Sequence, residues 1–317
     1  MEPAIEATGL TKSYGEVRVL AGVDLRVAQG SVFSLLGPNG AGKTTMVRIL
    51  TTLTNPDGGT ARVAGHDIVR ERALVRRSIS LTGQDVAIDV LQTGAENLRM
   101  MGRLCRLSRQ VAATRADELL ERFDLVDAGS RRVSTYSGGM RRRLDLAASL
   151  IVPPAVIFLD EPTTGLDPRS RADMWTMITE LTRSGVTIFL TTQYLEEADK
   201  LANQIAVVDG GRIVAEGTPE QLKQKVSDHR LDLTLTDPTA FDLAARHLGE
   251  RALLADPTQL TLSVATDGSA GHVRSVLDEL DPGRRAIDRF AVHSATLDDV
   301  FLALTGHITE KKETAGV

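Results

Sequence analysis

A chain of 317 residues exceeds the ordinary size of one domain and predicts two. With 42% hydrophobic and 25% charged residues the composition is that of a folded globular protein, and a formal net charge of -5 excludes the general attraction to nucleic acid that a basic face would give. The single cysteine, Cys105, excludes an internal disulfide and a cysteine metal cage, and reads as a packing residue.

The first residues carry no basic start followed by an apolar run, and no window approaches the roughly 18 consecutive apolar residues that span a bilayer. The expectation is a cytosolic chain, held at a membrane only by another chain. Residues 4–10 and 17–27 alternate apolar and polar positions, with turn residues at Ser13, Gly15 and Gly22, and predict a β-rich edge. Residues 31–36 form a nearly continuous apolar run, then a glycine-rich turn, then a helix over 43–53. From 85 to about 150 the pattern is helical, with segments at 96–107, 110–123 and 141–150. The basic runs Arg131-Arg132 and Arg141-Arg142-Arg143 read as solvated helix faces or partner contacts. Alternation resumes with strands at 156–159, 187–190, 205–208 and 212–216 and helices at 169–183 and 194–201, which predicts a mainly parallel sheet covered on both faces.

After Thr218 the texture changes. Strands at 231–235, 252–255, 259–264 and 286–292 and helices at 239–248 and 272–280 give the order β-α-β-β-α-β of a split βαβ, ferredoxin-like plan, with a final helix over 297–304. The expected division is therefore an α/β domain over 1–222, a small α+β domain over 223–305 that serves dimerisation or docking, and a frayed tail over 306–317. His66, His229, His272, His293 and His307 have no partners at ligand spacing and read as surface or packing residues. Trp175 reads as packing within its helix.

Gly37-Pro38-Asn39-Gly40-Ala41-Gly42-Lys43-Thr44 fits the string G-x-x-x-x-G-K-[ST] between a strand and a helix. The glycines let backbone N–H groups turn toward phosphates, and the helix directs its positive end at them. Lys43 adds charge near the β- and γ-phosphates, and Thr44 offers a hydroxyl to Mg2+. A second apolar strand ends in Asp160-Glu161. An aspartate there can hold the Mg2+ shell, and Glu161 can orient or deprotonate the attacking water. These features suit a GTPase, a kinase or any P-loop ATPase. Tyr136-Ser137-Gly138-Gly139-Met140 adds a hydroxyl and bare N–H groups at a helix start, a second anion-binding surface on the same chain.

At these residues the chain resembles the nucleotide-binding subunits of ABC transporters, over about 5–222. The resemblance implies an α/β P-loop NTPase with a RecA-like core, an antiparallel β edge and a helical subdomain over about 85–150. It assigns Tyr14 to the adenine, Gly37 to Thr44 with Thr45 to the phosphates of ATP, Gln84 to the Q-loop and the metal, and Ser137, Gly138 and Gly139 to the signature. Asp160 and Glu161 become the metal ligand and the base, and Asp167 the end of the D-loop. Where the family usually places a switch histidine this sequence has Gln193, which can donate a hydrogen bond but cannot become a cation. Two strings, Thr-Thr-Gln-Tyr-Leu-Glu-Glu-Ala-Asp from Thr191 and Ala-Thr-Leu-Asp-Asp-Val-Phe from Ala295, are similar to the daunorubicin-resistance branch of drug-exporter ATPases.

The resemblance further implies a homodimer closing on two ATP molecules, a permease on a separate chain contacted by the helical block, and indirect membrane contact at the cytoplasmic face. A soluble ATPase of repair or translation and a non-catalytic nucleotide switch stand as rivals. The first lacks its long coiled-coil insertion or second ATPase half here; the second is suggested by Gln193.

Overall fold

In chain order the first unit, Met1–Pro219, runs β1 (Ile5–Tyr14), β2 (Val17–Val27), β3 (Val32–Leu36), α1 (Lys43–Leu50), β4 (Gly58–Val63), β5 (His66–Asp67), α2 (Arg72–Ser78), β6 (Ile79–Thr82), α3 (Gly94–Leu104), α4 (Arg109–Arg122), α5 (Gly138–Ser149), β7 (Val156–Asp160), α6 (Pro168–Arg183), β8 (Thr187–Thr192), α7 (Leu195–Leu201), β9 (Gln204–Asp209) and β10 (Arg212–Gly217). The second unit, Glu220–Val317, follows with α8 (Pro219–Gln224) at its start, then β11 (His229–Leu235), α9 (Pro238–Leu248), β12 (Ala252–Asp256), β13 (Thr261–Thr266), α10 (Ala270–Leu280), β14 (Ile287–Ser294) and α11 (Leu297–Thr305). The computed structural model describes residues 2–83, 88–224, 229–294 and 296–305. Gln84 and the tail 306–317 lie outside the described residues.

The main sheet of the first unit has the order β10-β9-β3-β8-β7-β6. Its five inner and far strands are parallel, and β10 joins as an antiparallel edge. In β3, β7 and β8 every residue is buried, which is why these strands read as unbroken apolar runs rather than as alternations. Alternate residues feed two different cores. Phe33, Phe158 and Phe189 enter one with Met46 and Leu50 of α1, their rings 5.4 to 5.5 Å apart. Ile157, Leu159, Ile188 and Leu190 enter the other with α4, α5 and α6. At about 1.5–3 kcal/mol for each large side chain removed from water, these layers dominate the stability of the strand ends that carry the site.

A second sheet, β2-β1-β4-β5, is antiparallel throughout. Register shifts around Gly9, which has φ 60, bend β1 and carry it on to Tyr14, beyond the predicted end at residue 10. Sequence reading missed β4, β5, α2 and β6, which are short and carry polar residues among their apolar ones.

Helices α3, α4, α5, α6, α9 and α10 start one to three residues earlier than apolar spacing predicts, because the caps decide them. Thr93 and Glu96 form a reciprocal capping box before α3, Ser108 caps α4, and Asp167 followed by Pro168 opens α6. Helix α1 stops at Leu50 rather than at 53: the Thr51 hydroxyl donates back to Val47 O at 2.7 Å and Thr52 turns left-handed at φ 64. Two expectations fail. Cys105 is exposed at the end of α3 rather than set in a core. Arg142 is not on a solvated face; it is 6% exposed.

In the second unit the sheet order is β12-β13-β11-β14, with all neighbours antiparallel. Leu231, Leu233, Leu262 and Val264 pack with Phe241 and Leu248 of α9 and Val273 and Val276 of α10. The hairpin from β12 to β13 turns over a longer loop than predicted, because the Asp256 carboxylate accepts the Thr258 and Gln259 amides at 2.9 and 3.2 Å. Arg251 and His247 grip Glu279 of α10 and hold its carboxyl down at about 2. His66, His272 and His293 sit beside Glu71, Asp267 and Asp232. Among the described residues no group of His, Cys, Asp and Glu forms a metal cluster, and no helix is long and apolar enough to cross a membrane.

Candidate nucleotide site

The site lies beyond the carboxyl ends of β3, β7 and β8. Strand β3 leads into the loop from Gly37 to Gly42, and α1 begins at Lys43. The loop conformation requires its glycines: Gly42, with φ 103, is a left-handed N-cap that most side chains cannot adopt. A Cβ on Gly37 would lie 2.3 Å from the Val208 carbonyl oxygen. Pro38 is half-buried while Asn39 and Gly40 are exposed at the mouth. Ala41 is buried, and Thr44 and Thr45 present the outer side of the first turn of α1.

Lys43 is only 4% exposed. Its ammonium donates to Gly37 O at 2.8 Å and Pro38 O at 3.1 Å, and stands 3.3 Å from Glu161 Oε1. Burial pushes its pKa down, against the Glu161 and Asp160 carboxylates that hold the charge on. At the end of β7, Asp160 is 4% exposed, and its Oδ1 lies 3.4 Å from the Thr44 hydroxyl. The Thr191 hydroxyl donates to that same oxygen at 2.5 Å and accepts the Glu161 amide at 3.1 Å. Glu161 takes φ 50, a left-handed conformation uncommon for a side chain of this size, with a cost on the order of 1 kcal/mol or more. It is held there by that hydroxyl and by the Thr191 carbonyl, which accepts its amide at 3.1 Å. The Thr164 hydroxyl stands 3.4 Å from Glu161 Oε2.

The structure thus brings Lys43, Thr44, Asp160 and Glu161 into one constellation. Gln193, at the end of β8, is half-buried. Tyr14 stands apart, 49% exposed, with the Lys12 ammonium 5.5 Å above its ring. The signature is a separate surface. Ser137 caps α5, its hydroxyl accepting Met140 N at 3.2 Å, and no hydrogen bond or ion pair joins Ser137, Gly138 or Gly139 to Lys43, Thr44, Asp160 or Glu161 among the described residues. Asp167 accepts Ser170 N at 3.0 Å and the Ser170 hydroxyl at 2.6 Å, and a Cβ on Gly139 would meet that hydroxyl oxygen at 2.5 Å. Glycine at 139 is therefore also what lets α5 approach α6. Sequence reading missed Thr191 and Ser170; the only signal for Thr191 was a hydroxyl residue directly after the apolar run Ile188 to Leu190.

These donor sets fit a nucleoside triphosphate. A buried ammonium faces a loop in which Gly37 and Gly42 leave no room for a Cβ, and a hydroxyl and a carboxylate oxygen lie close together as the hard oxygen donors a small divalent cation takes.

Comparison with known proteins agrees with this geometry. The family described as ABC transporter matches residues 20–164. This chain belongs to the ATP-binding subunits of ABC transporters, enzymes that bind and hydrolyse ATP to drive transport. It is 49% identical over 314 residues to the daunorubicin resistance ATP-binding protein DrrA3 of Streptomyces coeruleorubidus, covering 99% of each chain. It is also 49% identical over 316 residues to the daunorubicin/doxorubicin resistance ATP-binding protein DrrA of Streptomyces peucetius, covering 98% of this chain and 95% of that one. Among solved structures it is similar to the ADP conformation of MJ1267, an ATP-binding cassette of an ABC transporter. That match has a TM-score of 0.65 and 25% identity, covering 71% of this chain and 95% of that one.

Proposed function

We propose that two copies of this chain close on two molecules of Mg-ATP, each held between the phosphate loop of one copy and Ser137 to Gly139 of the other, and that closure drives a separate membrane permease at the cytoplasmic face. The observation that carries this reading is that one chain holds one phosphate cradle and one exposed signature surface, and among the described residues no hydrogen bond or ion pair joins Ser137, Gly138 or Gly139 to Lys43, Thr44, Asp160 or Glu161. The names of the relatives support a drug such as daunorubicin as the exported class.

In this reading Tyr14 stacks on the adenine, the amides of Gly37 to Gly42 with Thr45 hold the phosphates, and Lys43 neutralises the β- and γ-phosphates. Thr44, Asp160 and Gln84 hold Mg2+, which when bound draws charge from the phosphate oxygens. Glu161 takes the proton of the attacking water as the water oxygen bonds the γ-phosphorus and the bond to the ADP oxygen breaks. Gln193 donates a hydrogen bond to the γ-phosphate. Asp167 holds the D-loop, and the small α+β domain over 223–305 serves dimerisation or docking.

Analytical ultracentrifugation of the Glu161→Gln chain tests the arrangement. ATP with Mg2+ should convert it to a dimer, and adding Ser137→Arg should return it to monomer. A chain that turns over ATP at full rate as a strict monomer, indifferent to Ser137, would overturn the reading.

A further inference from the structure

Arg142 stands one turn into α5, five residues after the Ser137 cap, and its side chain points into the molecule. Nε donates to the Pro162 carbonyl at 2.8 Å and Nη1 to the Gly83 carbonyl at 2.7 Å. Asp145, one turn further along α5, brings a carboxylate oxygen to 3.5 Å from Nη1, too long for a strong hydrogen bond but close enough to balance the buried charge. Pro162 follows Glu161 directly, and Gly83 directly precedes Gln84. Both carbonyls lie just past the ends of two strands that are neighbours in the parallel sheet, β7 and β6. One planar guanidinium therefore clamps the loop after β7 and the loop after β6 to the helix that opens at the signature. A guanidinium suits this task because its donors are fixed in a rigid plane; an ammonium is a point charge on a flexible stem.

We propose that Arg142 is a positioning residue for ATP hydrolysis, tying the left-handed Glu161–Pro162 turn and the carbonyl before Gln84 to α5, so that the aim of Glu161 depends on where the signature helix sits. Glu161 is held in a strained backbone conformation from one side by Thr191. Arg142 holds the Pro162 carbonyl, in the peptide that follows Pro162. A displacement of α5 on meeting a partner's nucleotide is then passed to Glu161 through this side chain.

The inference rests on the role given to Glu161 above. The test uses the full chain with Arg142→Gln and Arg142→Lys, and Arg143→Gln as control. Arg143 is on the same helix and pairs with Asp124 at 3.1 Å, away from both loops. Melting temperature, affinity for a fluorescent ATP analogue, and kcat and KM for ATP are measured on each. Both Arg142 variants should bind nucleotide as the parent does and lose about ten- to a hundredfold in kcat with KM unmoved, the cost of misplacing a reacting group by a fraction of an ångström to an ångström. Arg143→Gln should match the parent.

If Arg142→Gln does not fold, Arg142→Lys alone decides. In a Glu161→Gln background, Arg142→Lys should add no further loss, because it acts through that carboxylate. Parental kcat in a folded Arg142 variant, nucleotide affinity falling in step with melting temperature, or additive losses in the double variant would each overturn the proposal. Full turnover by Glu161→Gln alone would remove Glu161 from the base role, a result separate from all three.

Discussion

The Lys43 ammonium lies 3.3 Å from Glu161 Oε1, so the group assigned to the phosphates and the group assigned to the water form an ion pair with each other. Both side chains are largely out of water, at 4% and 9% exposure, where such a pairing is poorly screened. An incoming triphosphate has to compete with Glu161 for Lys43. Replacing Glu161 with glutamine removes that competitor as well as the base. The expected outcome is ATP binding several-fold tighter by isothermal titration calorimetry, with turnover lower by about a hundredfold or more. Unchanged affinity would show that the pair does not restrain the lysine.

Thr191 joins both acids, donating to Asp160 Oδ1 and accepting the Glu161 amide. Valine has the same shape and neither hydrogen bond. Thr191→Val should lower unfolding free energy by about 1–3 kcal/mol, the usual cost of leaving buried polar groups unpaired. It should also raise the Mg2+ concentration for half-maximal turnover about tenfold, as loss of a group that orients a metal ligand does. Chemical denaturation and a Mg2+ titration of ATPase read the two effects separately.

Gln193 cannot titrate near neutral pH, whereas an imidazole there would. The Gln193→His chain should acquire an inflection in kcat near pH ~6.5 that the parent lacks. Superimposable pH–rate profiles for the two chains would place residue 193 outside the γ-phosphate's reach.

Glu197 of α7 is fully buried, accepts the Trp175 indole N–H at 3.1 Å, and has the hydroxyls of Thr192 and Thr163 beside it. Burial pushes its pKa up from 4.5. The folded form therefore binds this proton more tightly than the unfolded form. Its contribution to stability is complete below pH 4.5 and is lost as pH rises from there through the folded pKa. Glutamine imitates the protonated carboxyl at every pH. Glu197→Gln should gain on the parent as pH rises across that window, by at most about 1.4 kcal/mol per pH unit, in urea unfolding at a series of pH values. A difference that does not change with pH would mean that Glu197 titrates normally.

Much of this site is legible in the sequence because its parts are contiguous. The run from Gly37 to Thr44 and the pair Asp160-Glu161 each occupy a strand end, and unbroken apolar strands announce where those ends lie. Thr191 and Arg142 were invisible for the opposite reason. Thr191 acts on residues 30 and 31 positions away, and Arg142 on carbonyls 20 and 59 positions away, separations that no local spacing reveals. Arg142 also sits in a run of three arginines, where composition argues for solvent; only the packing of α5 on β6 and β7 turns one of the three inward. Helix starts were misjudged where hydroxyl and carboxylate caps outweighed apolar spacing, as at Ser137 and Thr93.

The chain has one tryptophan, and its indole is fixed between α6, which begins at the D-loop, and α7, which follows Gln193. Its emission therefore comes from one place, beside a carboxyl that quenches differently with each change of distance or protonation. Any nucleotide that shifts those two helices against each other writes its arrival into the protein's own fluorescence, so binding and turnover can be followed in real time on the unlabelled chain.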